Sequence, residues 1–480
     1  MTINQRFLAL FEDSAFRAPV LKLLSGTGVA FVVAYLANIV LLRLFPDEFW
    51  GVADYVIAWV SILAPVASLR YEDALMLPEN PRKAAHAYLL SISAVLVFCT
   101  ALLLVLSFFD PLMAYFEEKG AGRWMLILPM ALLANRLAKI SELWLTRQES
   151  FGRISAAQVV QASSMVSVRI GSGMVGPGPG GLIWGFVAGF GLSFLSMLNR
   201  VVRTLRTSLA GRPSWQDIRE VASRYRRFPQ FTMPAAMISG LITRLPILLI
   251  PVWFTMDVTG QYSRGFNILF VPLSLIAAAI AQVFFVRAVE SHRAGGLAVF
   301  TGNVHARLVL MGFWPTAVLM LAGGDIFHTL FGSAWRDAAG FLLFVGPWIL
   351  FSVVASPLTR LFDVLERQRT EFAVTVASLV VVSAALYMGG RSGHMETMLL
   401  YLGTGGAAVR AFQIGLLLRL ARCPWRRILS PYARYALLAA PFLVLVWTAS
   451  LATMPWLTTL AALLAGLSFL GVSAWRDGLI

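Results

Sequence analysis

Charge is scarce in this sequence, and acidic charge is the scarcest. Only 13% of the 480 residues are charged, and Asp and Glu together number 24. A soluble domain of this size carries roughly a quarter of its residues as charged side chains. Apolar residues make up 58% of the chain, and many apolar runs reach about 20 residues, the length that crosses the hydrocarbon core of a bilayer. The composition therefore excludes a soluble domain and predicts an all-α, polytopic membrane protein.

Cysteine and histidine are also rare. The two cysteines, Cys99 in an apolar run and Cys423 in a basic segment, give no disulfide framework. The five histidines are scattered over predicted loops and helix ends, without metal-ligand spacing, a nucleophile elbow or a phosphate-binding glycine loop. The glycine-rich segment 173–182 is typical of a tight turn between helices. We therefore expect no enzyme activity, no metal and no cofactor.

About fourteen apolar segments have the length of membrane-spanning helices. The chain before the first span has the pattern of an amphipathic lead-in and not of a cleavable signal peptide. With both termini in the cytoplasm, basic residues concentrate in alternate loops, as the positive-inside rule requires. The outside loops then hold only Arg43, Lys119, Arg123, Arg336 and Arg391. The predicted spans are 24–44, 52–69, 87–108, 124–145, 154–174, 180–198, 228–252, 261–285, 305–322, 338–359, 370–389, 396–418, 434–452 and 456–475.

The largest polar segment divides the chain. We expect an amino-terminal lobe of six spans at 1–198, a basic cytoplasmic linker at 199–227, a second lobe of six spans at 228–418, and two further spans at 419–480. A basic inner loop is most often a topology determinant. It can also hold anionic lipid headgroups.

Two segments share a pattern that indicates an internal repeat. In each, a glycine follows an acidic residue near a helix exit, and a proline lies in the middle of the next helix. The pairs are Gly51 with Pro65, and Gly260 with Pro272. Because both halves enter from the cytoplasm, the pattern predicts parallel repeats about an axis along the membrane normal. Bundles of this kind hold a substrate cavity between their halves.

Several basic residues lie inside predicted spans, where a charge at the bilayer centre costs roughly 2.5–3.5 kcal/mol. Arg264 shares a helix face with Asn267, and Arg169 shares one with Gln161. Such faces are expected to meet water, a counter-charge or a ligand. Basic residues outnumber acids inside the spans, which favours an anionic substrate group such as a diphosphate. The basic residues inside spans are Arg136, Lys139, Arg169, Arg244, Arg264, Arg307, Arg410 and Arg434.

Structural interpretations of the same residues stay open. Lys139 and Glu142 have the spacing of a local ion pair. Arg169 is suited to capping a polar contact between helices. Arg244 and Arg264 lie near the outer halves of their spans, so their side chains can extend to the outer surface.

A series of motifs resembles one known family. The most specific are Arg-Tyr-Glu at 70–72 and Phe-Pro at 228–229. In order and spacing the motifs resemble the polysaccharide transporter branch, including the O-antigen flippases, of the multidrug/oligosaccharidyl-lipid/polysaccharide (MOP) flippase superfamily. The motifs cover about residues 20–290, and the rest of the chain resembles the family in topology. The other motifs are WLTRQESFGRISAAQVVQ (144–161), GLIWGFVAG (181–189), LPILLI (245–250), TGQYSRGFNILFVPLSLI (259–276) and AQVFFVRAVE (281–290).

This resemblance implies a flippase that moves undecaprenyl-diphosphate-linked oligosaccharide units for O-antigen or exopolysaccharide across a bacterial inner membrane. It implies two six-helix lobes in a V shape around a cationic lumen, working by alternating access. In the lipid-II-flipping relatives, two extra carboxyl-terminal helices form a groove for the lipid tail. The implied partners are the lipid-linked oligosaccharide and membrane lipid, with a polysaccharide polymerase and chain-length proteins in the same pathway.

We assign candidate roles on this basis. Arg264, Arg244 and Arg169 are predicted to offset the phosphate charge. The predicted sugar contacts are Gln161, Asn267, Asn38, Tyr35 and Tyr262. The Arg-Tyr-Glu turn is a candidate cytoplasmic gate, or else a positive-inside loop with a local ion pair. The predicted gate and ion-pair residues are Arg70, Glu72, Asp54, Lys139 and Glu142.

Other functions compete with this prediction. A drug or cation exporter of the same superfamily would favour buried carboxylates over buried arginines. A membrane-embedded glycan polymerase or transferase would need positioned acids, bases or a metal. The net charge of +15 does not indicate nucleic-acid binding here, because basic loops fix membrane topology.

Overall fold

The computed structural model describes residues 28, 32–209, 215–452 and 454–476. Across these ranges the chain is almost wholly helical, and none of them contains a β-strand. Eleven of the described helices are long and apolar enough to cross a membrane. The prediction of an all-α, multi-pass membrane protein is confirmed.

The helices group into two compact units, Met1–Arg244 and Leu245–Ile480. In the first unit, short 3₁₀ helices at Tyr71–Met76 and Gly122–Ile127 lie between longer α-helices. A π-helical turn at Phe228–Thr232 leads into helix α9, Met233–Trp253, which contains the boundary. The preceding helices are α1 Val32–Leu44, α2 Asp47–Ser68, α3 Pro81–Phe108, α4 Asp110–Glu118, α5 Leu128–Arg147, α6 Phe151–Val175, α7 Pro179–Leu209 and α8 Trp215–Arg224.

The second unit is also built from long helices with short connections. A single 3₁₀ turn, Ser333–Trp335, precedes its third helix. The helices are α10 Met256–Arg293, α11 Leu297–Phe331, α12 Arg336–Leu358, α13 Arg360–Val364, α14 Gln368–Gly390, α15 Met395–Leu420, α16 Trp425–Ser450 and α17 Pro455–Arg476.

Every predicted span coincides with a helix, although the lead-in and the start of the first span lie outside the described residues. Helices α6 and α15 are as long as the eleven apolar spans but more polar, and the described part of α1 is apolar but shorter. Together they bring the count to the predicted value of about fourteen. The predicted division into two lobes, a linker and two further spans stays a prediction.

Local sequence explains where several helices begin and end. Asn80 caps α3 by accepting a hydrogen bond from the backbone N–H of Arg82 at 2.8 Å, and Pro81 takes the first helical position. Helix α2 ends where Leu69 and Arg70 adopt positive φ values of 52° and 56°. Left-handed backbone is uncommon outside glycine. The chain thus turns sharply at the start of the Arg-Tyr-Glu motif.

Polar contacts fix the core of the first unit. Trp144 on α5 is fully buried, and its indole N–H donates to the Thr204 hydroxyl of α7 at 2.8 Å. The Tyr88 and Ser141 hydroxyl oxygens, on α3 and α5, lie 3.0 Å apart. Hydrogen bonds between spans are a source of helix association where lipid replaces water. Helices α3, α5 and α7 are therefore joined through side chains as well as through apolar packing.

The last two helices pack on α11 within the second unit. The Trp314 ring of α11 stacks on Phe469 of α17 at a centroid distance of 5.0 Å. The Thr458 hydroxyl donates to the Asp325 carboxylate at 2.9 Å. Gly466 lies directly against the Trp314 indole, so α17 approaches α11 closely. The last two predicted spans are thus part of the second unit's packed core.

Candidate functional site

The Arg-Tyr-Glu turn is built around a buried carboxylate. Glu72 is 1% exposed, and its Oε1 accepts a hydrogen bond from the Ser68 hydroxyl at 2.9 Å. The same oxygen lies 3.3 Å from Arg136 Nη2 on α5, and Arg136 is also buried. A buried charge is tolerated when it is paired and hydrogen-bonded. This ion pair therefore ties the turn and the end of α2 to α5.

Further arginines hold the rest of the turn. Arg70 Nε lies 3.1 Å from Asp73 Oδ2. Burial raises the pKa of the Asp73 carboxyl, and the Arg70 guanidinium opposes that rise only in part. Arg147 at the end of α5 donates to the backbone carbonyls of Leu75 and Pro78. The turn is thus held at its beginning by an ion pair and at its end by hydrogen bonds.

Helix α8, which lies within the predicted linker, binds the start of α3 through ion pairs. Arg82 Nη2 is 3.0 Å from Asp217 Oδ2, and Lys83 Nζ is 2.8 Å from Glu220 Oε1. The His86 Nε2 atom lies 3.5 Å from the same Asp217 oxygen. The acidic side chains of an otherwise basic linker are therefore directed at α3. The net charge of the linker gives no indication of this contact.

The Arg-Tyr-Glu turn also contacts α8. The Tyr71 hydroxyl donates to the Ala222 carbonyl at 3.3 Å. Burial raises the pKa of the Tyr71 phenol, so the group stays protonated and able to donate near neutral pH. Val221, on the same helix, is buried. The turn, α3 and α8 thus form one connected patch.

The remaining candidate ion-pair residues lie elsewhere in the first unit. Lys139 Nζ is 2.8 Å from Glu142 Oε2 along α5, and it lies 5.9 Å from the centre of the Phe190 ring. The Lys139 side chain is 41% exposed and the Glu142 side chain 13%. Asp54 is buried within α2. Lys139 and Glu142 thus form an ion pair of their own along α5.

Arg169 takes part in helix packing. Its Nε donates to the Leu182 carbonyl of α7 at 3.2 Å, and its guanidinium lies 5.5 Å from the centre of the Trp50 ring. Gly185 lies against the Arg169 side chain, leaving no room there for a larger residue. This geometry favours the interpretation that Arg169 caps a polar contact between helices.

The candidate sugar contacts of the first unit are partly buried. Tyr35 and Asn38 lie on α1, and the Asn38 amide donates to the Ala34 carbonyl at 3.1 Å. Gln161 lies on α6 and is also partly buried. Each of these side chains therefore keeps some surface that a ligand can contact.

Helices α9 and α10 carry the remaining candidates. Arg244 on α9 and Arg264 with Asn267 on α10 are partly buried. Tyr262 is only 3% exposed and stacks on Phe266 at a centroid distance of 5.9 Å. The structure thus places Tyr262 mainly in packing, while the two arginines keep accessible surface inside membrane-spanning helices.

Sequence reasoning missed two polar pairs. Arg136 was grouped with the basic residues inside spans, but no sequence signal joins it to Glu72, 64 positions away. His305 on α11 is fully buried, and its Nε2 lies 3.3 Å from the Tyr432 hydroxyl of α16. Only their types, charged or polar within apolar helices, mark these residues in the sequence.

An apolar groove of about 690 Å³ lies within the second unit, between α11, α12 and α16. The Thr316 hydroxyl on its wall donates to the Gly312 carbonyl at 2.7 Å, so it is already satisfied. Such a surface favours a hydrocarbon ligand. The groove is lined by Phe313, Thr316, Ala317, Met320, Leu321, Leu343, Pro347, Leu350, Phe351, Tyr432, Leu443, Val444 and Trp447.

The part of the chain that the structure describes contains no cluster of three or more His, Cys, Asp or Glu side chains suited to a metal ion. The polar groups described above instead form isolated pairs and a single connected patch. The partly buried arginines and the hydrocarbon surface of the groove suit an amphiphile with an anionic head.

Comparisons with known proteins identify the fold. Lipid II flippase MurJ, in an inward closed conformation, has the same fold with a TM-score of 0.73 and 12% identity, over 95% of this chain and 99% of that chain. An inward-facing multidrug resistance MATE family transporter of the MOP superfamily gives 0.63 and 13%, over 84% and 98%. No curated protein matches.

The amino-acid sequence identifies the family. The profile of the family described as "Polysaccharide biosynthesis protein" matches residues 40–340, which is more than half of the chain. The predicted resemblance to the polysaccharide branch of the MOP superfamily is confirmed. The chain belongs to the polysaccharide biosynthesis protein family and has the fold that MurJ and the MATE transporters share.

Proposed function

We propose that this protein flips a lipid-linked oligosaccharide across a bacterial inner membrane. The substrate is an oligosaccharide unit of O-antigen or exopolysaccharide carried on undecaprenyl diphosphate. Membership of a polysaccharide biosynthesis family supports the sugar part of the substrate. The fold, which a lipid flippase also has, supports a lipid-linked form of it.

Arginines inside spanning helices are the observation on which the proposal rests. Arg264 lies about two turns into α10, and Arg244 about three turns into α9. Both side chains keep accessible surface. A guanidinium at membrane depth is tolerated when it meets water, a counter-charge or a ligand. Its planar fork fits the oxygens of a phosphate in a bidentate manner, so a diphosphate head is the ligand that these residues favour.

The apolar groove supports the lipid part of the substrate. A polyprenyl chain is pure hydrocarbon, so it can leave the bilayer for the groove with little change in solvation, and van der Waals packing against the lining then holds it. The groove is bounded by three helices, and most of its lining is aliphatic or aromatic. We propose that part of the lipid tail lies against α11, α12 and α16 during transport.

Alanine substitution of the two arginines tests the proposal. In vesicles, Arg264→Ala and Arg244→Ala should each slow flipping of a labelled lipid-linked oligosaccharide by about tenfold or more, since a hydrogen bond to a charged group contributes about 1.5–3 kcal/mol. Exposure of the sugar to a membrane-impermeant reagent reports the rate. Arg307→Ala is the matched control, because Arg307 is exposed on α11.

The alternatives give different results in the same vesicles. Full flipping by both arginine variants at normal expression would remove these residues from the mechanism. Transport of an organic cation, without flipping of the oligosaccharide, would favour a drug exporter. The MATE fold makes this the main alternative. Against a drug exporter, the carboxylates of Glu72 and Glu142 in the first unit are already paired with basic residues.

Filling the groove tests the tail separately. Ala317→Trp places a large ring on the wall of the groove. It should slow flipping of a substrate with a long polyprenyl chain more than flipping of a short-chain analogue. Ala436→Trp, at an exposed position of α16, is the control. Equal slowing of both chain lengths, relative to wild type, would exclude the groove as the tail site.

A further inference from the structure

Exposed arginines lie at the end of α7 and along and just after α8, in a segment that the charge distribution predicts to be cytoplasmic. They are exposed, and within the described ranges none has an ion-pair partner. The nearby carboxylates of Asp217 and Glu220 are instead directed at α3. We call this set the arginine surface: Arg200, Arg203, Arg206, Arg219, Arg224, Arg226 and Arg227.

The first part of the arginine surface lies where α7 leaves the membrane. The predicted span ends at residue 198, but the helix continues to Leu209. At 1.5 Å per residue, Arg200 is about 3 Å and Arg206 about 12 Å past that point. The polar headgroup region extends roughly 5–8 Å from the hydrocarbon core. Arg200 and Arg203 therefore lie within the headgroup layer, and Arg206 lies a few Å beyond it, where its long side chain can extend back to the headgroups.

Helix α8 also has a face whose residues are suited to a membrane surface. Asp217 of α8 forms an ion pair with Arg82 of α3, and Val221 is buried. Both residues therefore lie on the side of α8 that faces α3. At 100° per residue, Trp215 and Arg219 fall on the opposite face. Trp215 is 75% exposed. An exposed tryptophan beside arginine is the composition of interfacial membrane anchors.

We propose that the arginine surface and Trp215 bind the headgroups of anionic phospholipids in the cytoplasmic leaflet. Guanidinium groups bind phosphate oxygens in a bidentate manner, and the tryptophan ring lies at headgroup depth. Continuity with a membrane-spanning helix favours lipid over a soluble anionic partner.

Thermal unfolding of the full chain in neutral detergent tests the proposal. Short-chain phosphatidylglycerol should raise the unfolding temperature, and phosphatidylcholine should not. Added salt should weaken the effect. The triple variant Arg200→Gln, Arg203→Gln, Arg206→Gln should need about 100-fold more phosphatidylglycerol for the same shift. Replacing the same three residues with Lys should retain most of the binding, because the charge is kept.

The control variant removes as much charge from the second unit, through Arg293→Gln, Arg367→Gln and Arg369→Gln, which are all exposed positions. It should respond to phosphatidylglycerol as the wild type does. Equal weakening of the response to phosphatidylglycerol in both triple variants would overturn the proposal, because any exposed arginine on the cytoplasmic side would then bind the lipid equally well. A shift produced equally by inorganic phosphate would also overturn it, since the site would then bind free anions and not lipid.

Discussion

At the scale of single residues, the buried ion pair between Glu72 and Arg136 is the contact whose loss should cost most. Removing one partner leaves the other charge buried and uncompensated, which typically costs 3–5 kcal/mol. Glu72 is 1% exposed and also accepts from Ser68. Glu72→Ala should therefore lower the unfolding temperature of the purified protein clearly, as measured by thermal denaturation in detergent.

The double variant is the control for that prediction. Replacing Glu72 and Arg136 together with Leu removes both charges, and apolar replacement of a buried pair is often neutral or stabilising. Its unfolding temperature should lie well above that of Glu72→Ala. If Glu72→Ala unfolds at the wild-type temperature, the pair does not stabilise the turn.

Asp73 gives the same turn a dependence on pH. Burial raises the pKa of its carboxyl above the ordinary value of 3.8. The protonated form is thus favoured in the folded state, and the stability this contributes is lost as pH rises through the folded pKa. Asp73→Asn removes the titrating group, so its stability relative to wild type should increase between about pH 4 and 7. Unfolding temperatures across that range, with no such increase, would contradict this.

Which residue pairs could be predicted depended on distance along the chain. Lys139 and Glu142 are one helical turn apart, so spacing alone suggested their contact, and they lie 2.8 Å apart. Glu72 and Arg136 lie on separate helical elements, and no pattern in one sequence joins them. The sequence allows Arg169 either to contact phosphate or to cap a polar helix contact, and its hydrogen bond to Leu182, which favours the cap, depends on how α6 packs against α7. Such contacts arise from tertiary packing, which hydropathy does not encode.

At the scale of helices, hydropathy located every span but not its full length. Helix α10 runs over Met256–Arg293, whereas its predicted span covers 261–285. The apolar signal ends at the membrane interface, but Arg, Glu and Ala continue to favour helix beyond it. For the same reason α8 was hidden in the predicted linker. A polar helix gives no hydropathy peak.

The docking of α8 on α3 gives a prediction at this scale. Its ion pairs are partly exposed, so each contributes at most about 1 kcal/mol. Asp217→Lys reverses one charge beside Arg82 and His86. This should release α8 and make the chain near Arg224 more sensitive to trypsin. Arg82→Glu in the same chain should restore part of the protection. Unchanged cleavage in the single variant would show that α8 is held without these charges.

At the scale of the whole molecule, two kinds of information proved predictable for different physical reasons. The number of helices follows from the length that a bilayer requires. The family follows from motifs along about residues 20–290, and the profile match at 40–340 confirms it. How the helices pack inside each unit depends instead on pairings such as Trp314 with Phe469. Those pairings involve residues far apart in sequence.

The predicted orientation is a property of the whole chain, and both the direction of flipping and the side of the membrane on which the arginine surface lies depend on it. Val175 is 93% exposed at the end of α6, on the predicted outside, and Gln216 is exposed on α8, on the predicted inside. Both native cysteines are buried. In intact cells, a membrane-impermeant maleimide should label Val175→Cys, whereas Gln216→Cys should be labelled only after permeabilisation. The reverse pattern would invert the orientation, since every loop is fixed once one is.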